Sequence, residues 1–390
     1  MPAKLRLHAA PATFVSLAVI LVLAVAGLMA LSGGQAGAVQ QLSCGDTITA
    51  DTTLHRNLVN CLNNGIVIGA DDITLDLNYH RIDGDGTPAA GCNGDTEFCD
   101  VGVLNDGHDG VTVVHGSVRE FNVGVWGLRV SHNRLLGISS SGNECCGLGF
   151  FRGTRSVVRN SSGNGSEDAN GMFLIASHRV RVLHNSFRHN GHQGIFLADS
   201  TDNLIKGNLV AHNGNFGIIL EMADRNRVRR NRSVGDGETG ISVLSGNRNV
   251  IARNRVSHAR GLGIAVDGGD RNVIARNSVR DTEGDDGIHV GFARRGAVGN
   301  VVRHNHIHGA REDGVHIDDM ARHTRLRGNV AKGAKDDGLD VNNSKTKLTR
   351  NEARRNGDLG IEAVRGVTDG GGNKASGNGD PRQCTHIVCR

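Results

Sequence analysis

Short apolar runs alternate with polar corners along most of the chain, on a fixed beat. A glycine followed by an apolar residue returns at Gly102, Gly124, Gly147, Gly171, Gly194, Gly217, Gly240, Gly263, Gly287, Gly314, Gly338 and Gly360. The steps between them are 22, 23, 24, 23, 23, 23, 23, 24, 27, 24 and 22 residues. A second series rides on the first, in phrases such as NLIKGN, NRVRRN and NVIARN, which end on Asn185, Asn208, Asn231, Asn254, Asn277, Asn305, Asn329 and Asn351. Within each unit apolar residues stand two apart, the period of a strand, and no 3.6-residue period marks a helix.

A repeat of this length is too small to bury its own core, so its copies must stack into a solenoid. Short strands broken by glycine and asparagine corners predict an all-β fold: a single-stranded, right-handed parallel β-helix with about 23 residues per coil. The asparagines then have a structural reason. Stacked at inward corners, their amides bond to the next coil and satisfy polar groups that burial would otherwise strand. Asn203, Asn226, Asn249, Asn272 and Asn300 mark a second such ladder, and Asn231-Arg232-Ser233 reads as a ladder position rather than a glycosylation site.

The start of the chain sets the compartment. Lys4, Arg6 and His8 precede nineteen apolar residues, Thr13 to Leu31, and the small residues that follow end in Ala36-Gly37-Ala38. Residues 1–38 read as a secretory signal peptide, with a membrane anchor as the alternative if they stay uncleaved. The expected organisation is then 39–100 as N-terminal cap and first coils, 101–365 as β-helix repeats, and 366–390 as a Gly-rich tail with a cysteine pair. Export makes the eight cysteines disulfide candidates, paired locally as Cys44–Cys61, Cys92–Cys99 and Cys384–Cys389, while adjacent Cys145 and Cys146 leave two pairings open. The net charge of +4 falls to +2 when Lys4 and Arg6 leave with the signal. That balance, with one tryptophan and one tyrosine, argues against a nucleic-acid partner. The expected protein is a secreted or periplasmic monomer.

The G-[I/V/L] strands alternating with N-x-[I/V]-x-x-N corners resemble the right-handed parallel β-helix repeat superfamily. It includes pectate lyases, polygalacturonases, mannuronan epimerases and the periplasmic copper-associated accessory proteins of nitrous oxide reductase. The resemblance runs from about Cys44 to Arg365, and implies fold far more specifically than activity.

Chemistry concentrates in three neighbouring coils, DDGIHV (Asp285 to Val290), EDGVHIDDM (Glu312 to Met320) and DDGLDV (Asp336 to Val341). The residue two after each glycine points outward, which gives the column Phe173, Phe196, Ile219, Ser242, Ala265, His289, His316, Asp340 and Glu362. The column passes from apolar to ionisable. Carboxylates stacked about 5 Å apart repel unless protons, a cation or substrate intervene. Asp286, Asp313, Asp318, Asp336 and Asp337 are therefore expected ligands for Ca2+. The bland alternative is that DDG and EDG are solvated turns without chemistry.

The longest unit carries its excess in GFARRGAVGN, a loop expected to wall a groove from Phe292 to Val298. DDGLDV looks like the calcium-binding segment of one pectate lyase family, which implies an acidic, uronate-bearing polysaccharide as substrate. In that reading His316, Asp340, Arg294, Arg295 and Lys335 (with Lys332 beside it) are catalytic candidates. His289, Glu362, Phe173 and Phe196 would contact sugar. The N-T-D, G-H-G and R-I-K signatures of polygalacturonases are absent, and Tyr79, the only tyrosine, lies far from the acidic coils. The alternative function is a solenoid that binds carbohydrate, metal or a partner without turnover. His304, His306 and His308, alternating on one strand, and a partial basic strip of Arg229, Arg230, Arg253, Arg276 and Arg350 are further surface features.

Overall fold

The computed structural model describes residues 41–87, 99–166, 170–291 and 297–390; the expected signal peptide, the loop residues Phe292 to Gly296 and Cys92 lie outside them. Among the described residues every regular element is a strand and every strand pairing is parallel. One coil shows the plan: Ile241–Leu244, then Val250–Ala252, then Arg255–Ser257, each hydrogen-bonded to its counterpart in the next coil, Ile264–Asp267, Val273–Ala275 and Ser278–Arg280. The first strands of successive coils form one sheet of fourteen. The second and third strands form two further faces of the same parallel β-helix.

Alternation decides which side chains enter the interior. In the coil above, Ile241, Val243, Ile251 and Val256 are buried, and Ile264, Val266, Ile274 and Val279 stack on them one coil later. Each such side chain contributes about 2 kcal/mol of apolar burial, but only because another coil covers it.

At the corners the asparagines form the expected ladders. The backbone N–H of Asn208 donates to Asn231 Oδ1 at 2.9 Å, and Asn208 Nδ2 donates both to that oxygen and to the carbonyl of Val182, each at 3.0 Å. Asn203, Asn226, Asn249, Asn272 and Asn300 repeat the pattern. A third ladder, not singled out in the sequence, runs through Asn190, Asn213 and Asp236 at the corner entering the first sheet.

Cys44–Cys61 and Cys384–Cys389 are disulfides. Cys99 is disulfide-bonded too, and its expected partner lies outside the described residues. The Cys145 and Cys146 sulfurs approach to 2.8 Å. In the segment 366–390, expected as a Gly-rich tail with a cysteine pair, Thr368–Asp369 and Lys374–Ser376 pair with Lys347–Thr349 and Glu352–Arg354, so strand stacking runs on past Arg365.

Candidate functional site

Stacking of the first sheet realises the outward column as the spacing predicts. Phe173 pairs with Phe196, Phe196 with Ile219, Ile219 with Ser242 and Ser242 with Ala265. Ala265 then pairs with His289, His289 with His316, His316 with Asp340 and Asp340 with Glu362. Two imidazoles one coil apart meet face to face, with centroids 4.7 Å apart and planes within 10°.

The three aspartates before the glycines form a ladder of their own. Asp286 Oδ1 accepts the backbone N–H of Asp313 at 2.9 Å, Asp313 Oδ1 accepts that of Asp337 at 2.9 Å, and Asp337 Oδ1 accepts that of Leu359 at 2.7 Å. One oxygen of each is thereby spent on the backbone, and all three side chains are buried. The other oxygens of the first two face the imidazoles: Asp286 Oδ2 lies 2.8 Å from His289 Nδ1, and Asp313 Oδ2 lies 3.2 Å from His316 Nδ1. His316 Nδ1 also lies 3.1 Å from Asp340 Oδ2 and 4.0 Å from Asp286 Oδ2.

This crowding sets the protonation. Burial works against a charged His316, but its hydrogen bonds to Asp313 and Asp340 outweigh burial and raise its pKa to about 10. Burial lifts Asp313 to about 6 against the hydrogen bond from His316. Burial, and then the hydrogen bond shared with Glu362, lift Asp337 to about 8. Burial and neighbouring carboxylates also raise Asp336 and Glu312. At neutral pH the centre is an imidazolium held among more carboxylates than it can neutralise, a setting that attracts a further cation.

Ligand atoms converge in several overlapping groups, each within 4.8 Å: His289, His316 and Asp318; Asp286, Asp313 and His316; Asp285, Asp286 and Glu312; Asp313, Asp336 and Asp337; Asp337, Asp340 and Glu362. The first group differs from the rest in having two imidazoles. Beside it stands Asp267, which the sequence reading passed over. Its Oδ1 is buried without a hydrogen-bond partner, and burial raises its pKa, opposed by His289 and reinforced by Asp318. The signal was available one coil upstream, since the column through Gly291, Asp318 and Asn342 extends back to Asp267. Gly291, at φ 119°, keeps that place open: a Cβ there would meet Asp318 Cβ and Ala321 Cβ at 2.8 Å.

The other expected site residues are placed differently. Phe173 offers no face to a sugar; it is buried against Trp126, with ring centroids 4.3 Å apart. Gly149 lies between those two rings in register and makes room for the contact. Phe196 is half-buried beside that cluster. Lys335 is exposed and makes no ion pair with the described acids. Arg294 and Arg295, and with them most of the expected groove wall, lie outside the described residues. His304, His306 and His308 join none of the three-ligand groups.

Residues 89–290 match the family described as "Periplasmic copper-binding protein (NosD)". Residues 239–381 match the right-handed β-helix region, which fixes the hand of the solenoid. The first match takes in Asp286 and His289 and stops short of His316. Among curated proteins none matches the sequence. Two solved structures share the fold. The A-module of Azotobacter vinelandii mannuronan C-5 epimerase AlgE4 is 12% identical with a TM-score of 0.50, covering 79% of this chain and 79% of that one. The periplasmic alginate epimerase AlgG is 15% identical with a TM-score of 0.50, covering 80% of this chain and 75% of that one.

Proposed function

Because the chain belongs to the family of periplasmic copper-binding proteins (NosD), we propose that it is a periplasmic metal-binding β-helix whose site is His289, His316 and Asp318, with Asp267 at its edge. The observation that carries the reading is the convergence of two imidazoles and a carboxylate within 4.8 Å, beside a buried carboxylate oxygen that has no partner. This donor set fits copper: imidazole suits Cu2+, and a carboxylate completes the charge. Asp286 and Asp313 turn Nδ1 of their histidines toward themselves, as outer-shell carboxylates do in histidine metal sites, which leaves Nε2 to meet the ion. A bound cupric ion would supply a Lewis-acid and one-electron centre. The chain's own part is to orient the two rings, hold their outer protons and keep the carboxylates apart.

The ladder limits the calcium alternative. Asp286 and Asp313 already commit both oxygens, one to the backbone and one to an imidazole, so a hard cation would have to draw on the carboxylates around them: Asp285 and Glu312, Asp318, or Asp336, Asp337, Asp340 and Glu362. Titrating the purified protein with Cu2+, Zn2+ and Ca2+ by calorimetry tests the assignment. One Cu2+ per chain is expected, abolished by His316→Gln. Binding of Ca2+ alone, surviving His316→Gln, would overturn it.

A second reading keeps the acidic polysaccharide. Its support is the acidic end of the same face, where Asp337, Asp340 and Glu362 converge beside His316 and pass from buried to exposed, on a fold shared with the mannuronan and alginate epimerases. Among the described residues it lacks a placed base, since Lys335 stands apart in solvent and His316 holds its proton. Incubation with pectate, alginate and hyaluronate, with and without Ca2+, would support it if unsaturated products or changed uronate stereochemistry appeared.

A further inference from the structure

The corner between the second and third sheets carries a second concentration of charge, of the opposite sign. Arg230, Arg253, Arg276, His304 and Arg350 occupy equivalent positions in a column whose remaining member, between His304 and Arg350, is Gly328. The backbone N–H of each donates to the coil that follows, so neighbours stack about one coil rise, ~4.8 Å, apart. Arg303 and Arg327 flank the column at its C-terminal end, and all these side chains are exposed.

The obvious alternative is an ordinary solvated corner in an arginine-rich protein, and the corner between the first and second sheets supplies the comparison. Arg179, Arg225, Arg248 and Arg271 stack there with the same left-handed backbone, φ between 55° and 58°. That corner is mixed: Asp202 stands in the column and binds Arg225 at 3.0 Å, and Asp224 and Asp270 lie beside it. Along the second-to-third corner, none of Arg230, Arg253, Arg276, Arg303, Arg327 or Arg350 forms an ion pair among the described residues. Glu352, the nearest acid in sequence, is engaged by Arg354. The unbalanced field is felt by His304, whose pKa is lowered by burial and then by Arg303, Arg276, Arg327 and His306.

Nor is the backbone a reason for arginine here. Positions with φ near +55° favour glycine or asparagine, and the same column uses Gly207, Gly328 and Gly372 in other coils. Three consecutive arginines therefore oppose both local preference and mutual repulsion.

We propose that this corner is a lengthwise track for a linear uronate-type polyanion, one carboxylate meeting each coil. The shape selects the partner. The strip is narrow, straight and periodic, and a polyuronate bears one carboxylate per sugar ring, a spacing close to the coil rise. Single-stranded nucleic acid would call for stacking platforms, and no phenylalanine, tyrosine or tryptophan stands on this corner. A membrane surface would call for apolar anchors, and none of the exposed large apolar residues, Val59, Leu62, Tyr79, Met222, Val298 and Val388, lies on the strip. The track is separate from the histidine–aspartate face on the first sheet and does not depend on the metal assignment.

The test uses the full mature protein in EDTA, so that no cation bridges the polymer to the acidic face. Binding of oligogalacturonates is followed by fluorescence anisotropy with dextran as the neutral control. The wild type should bind oligomers of six or more residues, bind the dimer far more weakly, and lose affinity as salt screens the contact. Combined Arg230→Asn, Arg253→Asn and Arg276→Asn should weaken hexamer binding by about tenfold or more. Asparagine tolerates the left-handed backbone, so the fold is kept. Arg179→Asn, Arg248→Asn and Arg271→Asn together remove the same charge from the mixed corner and should change binding by less than about twofold. Equal losses in the two triple variants, equal affinity for dimer and hexamer, or binding to anionic vesicles without binding to oligogalacturonate would each overturn the proposal.

Discussion

Two ladders built on one geometry have opposite consequences. In the asparagine ladder the residue's Oδ1 accepts a backbone N–H from the neighbouring coil, and Nδ2 donates to a carbonyl and to the next amide. The column is neutral and satisfied within itself. In the ladder of Asp286, Asp313 and Asp337, Oδ1 accepts the same kind of N–H, but the second atom is an oxygen with nothing to donate. It must find a donor outside the ladder. Asp236, a lone carboxylate within the third asparagine ladder, finds the Ser233 hydroxyl at 2.7 Å. Asp286 and Asp313 find histidines. Exchanging one NH2 for one oxygen thus turns a device for stacking coils into a device for orienting imidazoles, and this is the physical content of the acidic cluster.

The comparison breaks most visibly if the two ladders respond alike to loss of the side chain. Asn231→Leu strands the N–H of Asn208 in the interior and takes a donor away from the carbonyl of Ile205 and from Asn254 Oδ1, which keeps the backbone N–H of residue 231. At about 1–3 kcal/mol per buried unsatisfied group, it should cost about 3 kcal/mol or more, read as a lower denaturant midpoint. Asp313→Asn keeps the oxygen that Asp337 needs and relieves repulsion among carboxylates, but sets an amide NH2 against His316 Nδ1–H and leaves Asp340 as that imidazole's partner, so the metal-free protein should lose less, about 1–2 kcal/mol. Equal losses would remove the distinction between the ladders.

Next in size is the effect of the metal. Cu2+ at one hundred times its Kd should stabilise the fold by about 2.7 kcal/mol, seen as a raised Tm. His316→Gln should remove that rise, whereas Phe196→Leu at the apolar end of the same column should keep it.

A smaller and more specific effect is its pH dependence. His316 has a folded pKa of about 10, above the ordinary 6.5. The stability it contributes is therefore complete below pH 6.5 and drains away as pH rises toward 10. Asp313 and Asp337, raised to about 6 and about 8, act with the same sign in their own windows, which begin near 3.8. Metal-free protein should thus lose Tm steadily from about pH 5 to 10. Copper affinity should move the other way, rising with pH as His316 releases a proton to solvent and the ion takes its place on the ring nitrogen. A metal-free Tm that climbs between pH 7 and 9 would contradict the charge state assigned here. The smallest effect is expected at Lys335: Lys335→Ala should leave copper affinity within about twofold, because an exposed lysine without a carboxylate partner contributes little.

Most of this could be read from the sequence because a β-helix converts spacing into position. The outward column from Phe173 to Glu362 holds residue for residue, since each unit's glycine sets the register of the strand after it. Burial was less legible. Trp126 lies two coils before Phe173 and reaches it only across Gly149, a contact that no single repeat contains. The tail from Thr368 to Ser376 lacks the apolar alternation of a coil, yet its backbone still pairs with the strands beneath it. Asp267 escapes a reading by side chains because Gly291 stands between it and Asp318 in the column, where the side chain vanishes but the register continues. Of the carboxylates expected to take Ca2+, Asp286 and Asp313 turn their oxygens to backbone donors and imidazoles, contacts that appear only when the coils are stacked.

In the proposed metal site two imidazoles from adjacent coils, His289 and His316, meet one ion. Electron paramagnetic resonance of the protein loaded with one equivalent of Cu2+ reads this directly. A single copper species with hyperfine coupling to two imidazole nitrogens is expected, and it should disappear in His289→Gln and in His316→Gln. A spectrum with oxygen donors only, or one left unchanged by both substitutions, would contradict it.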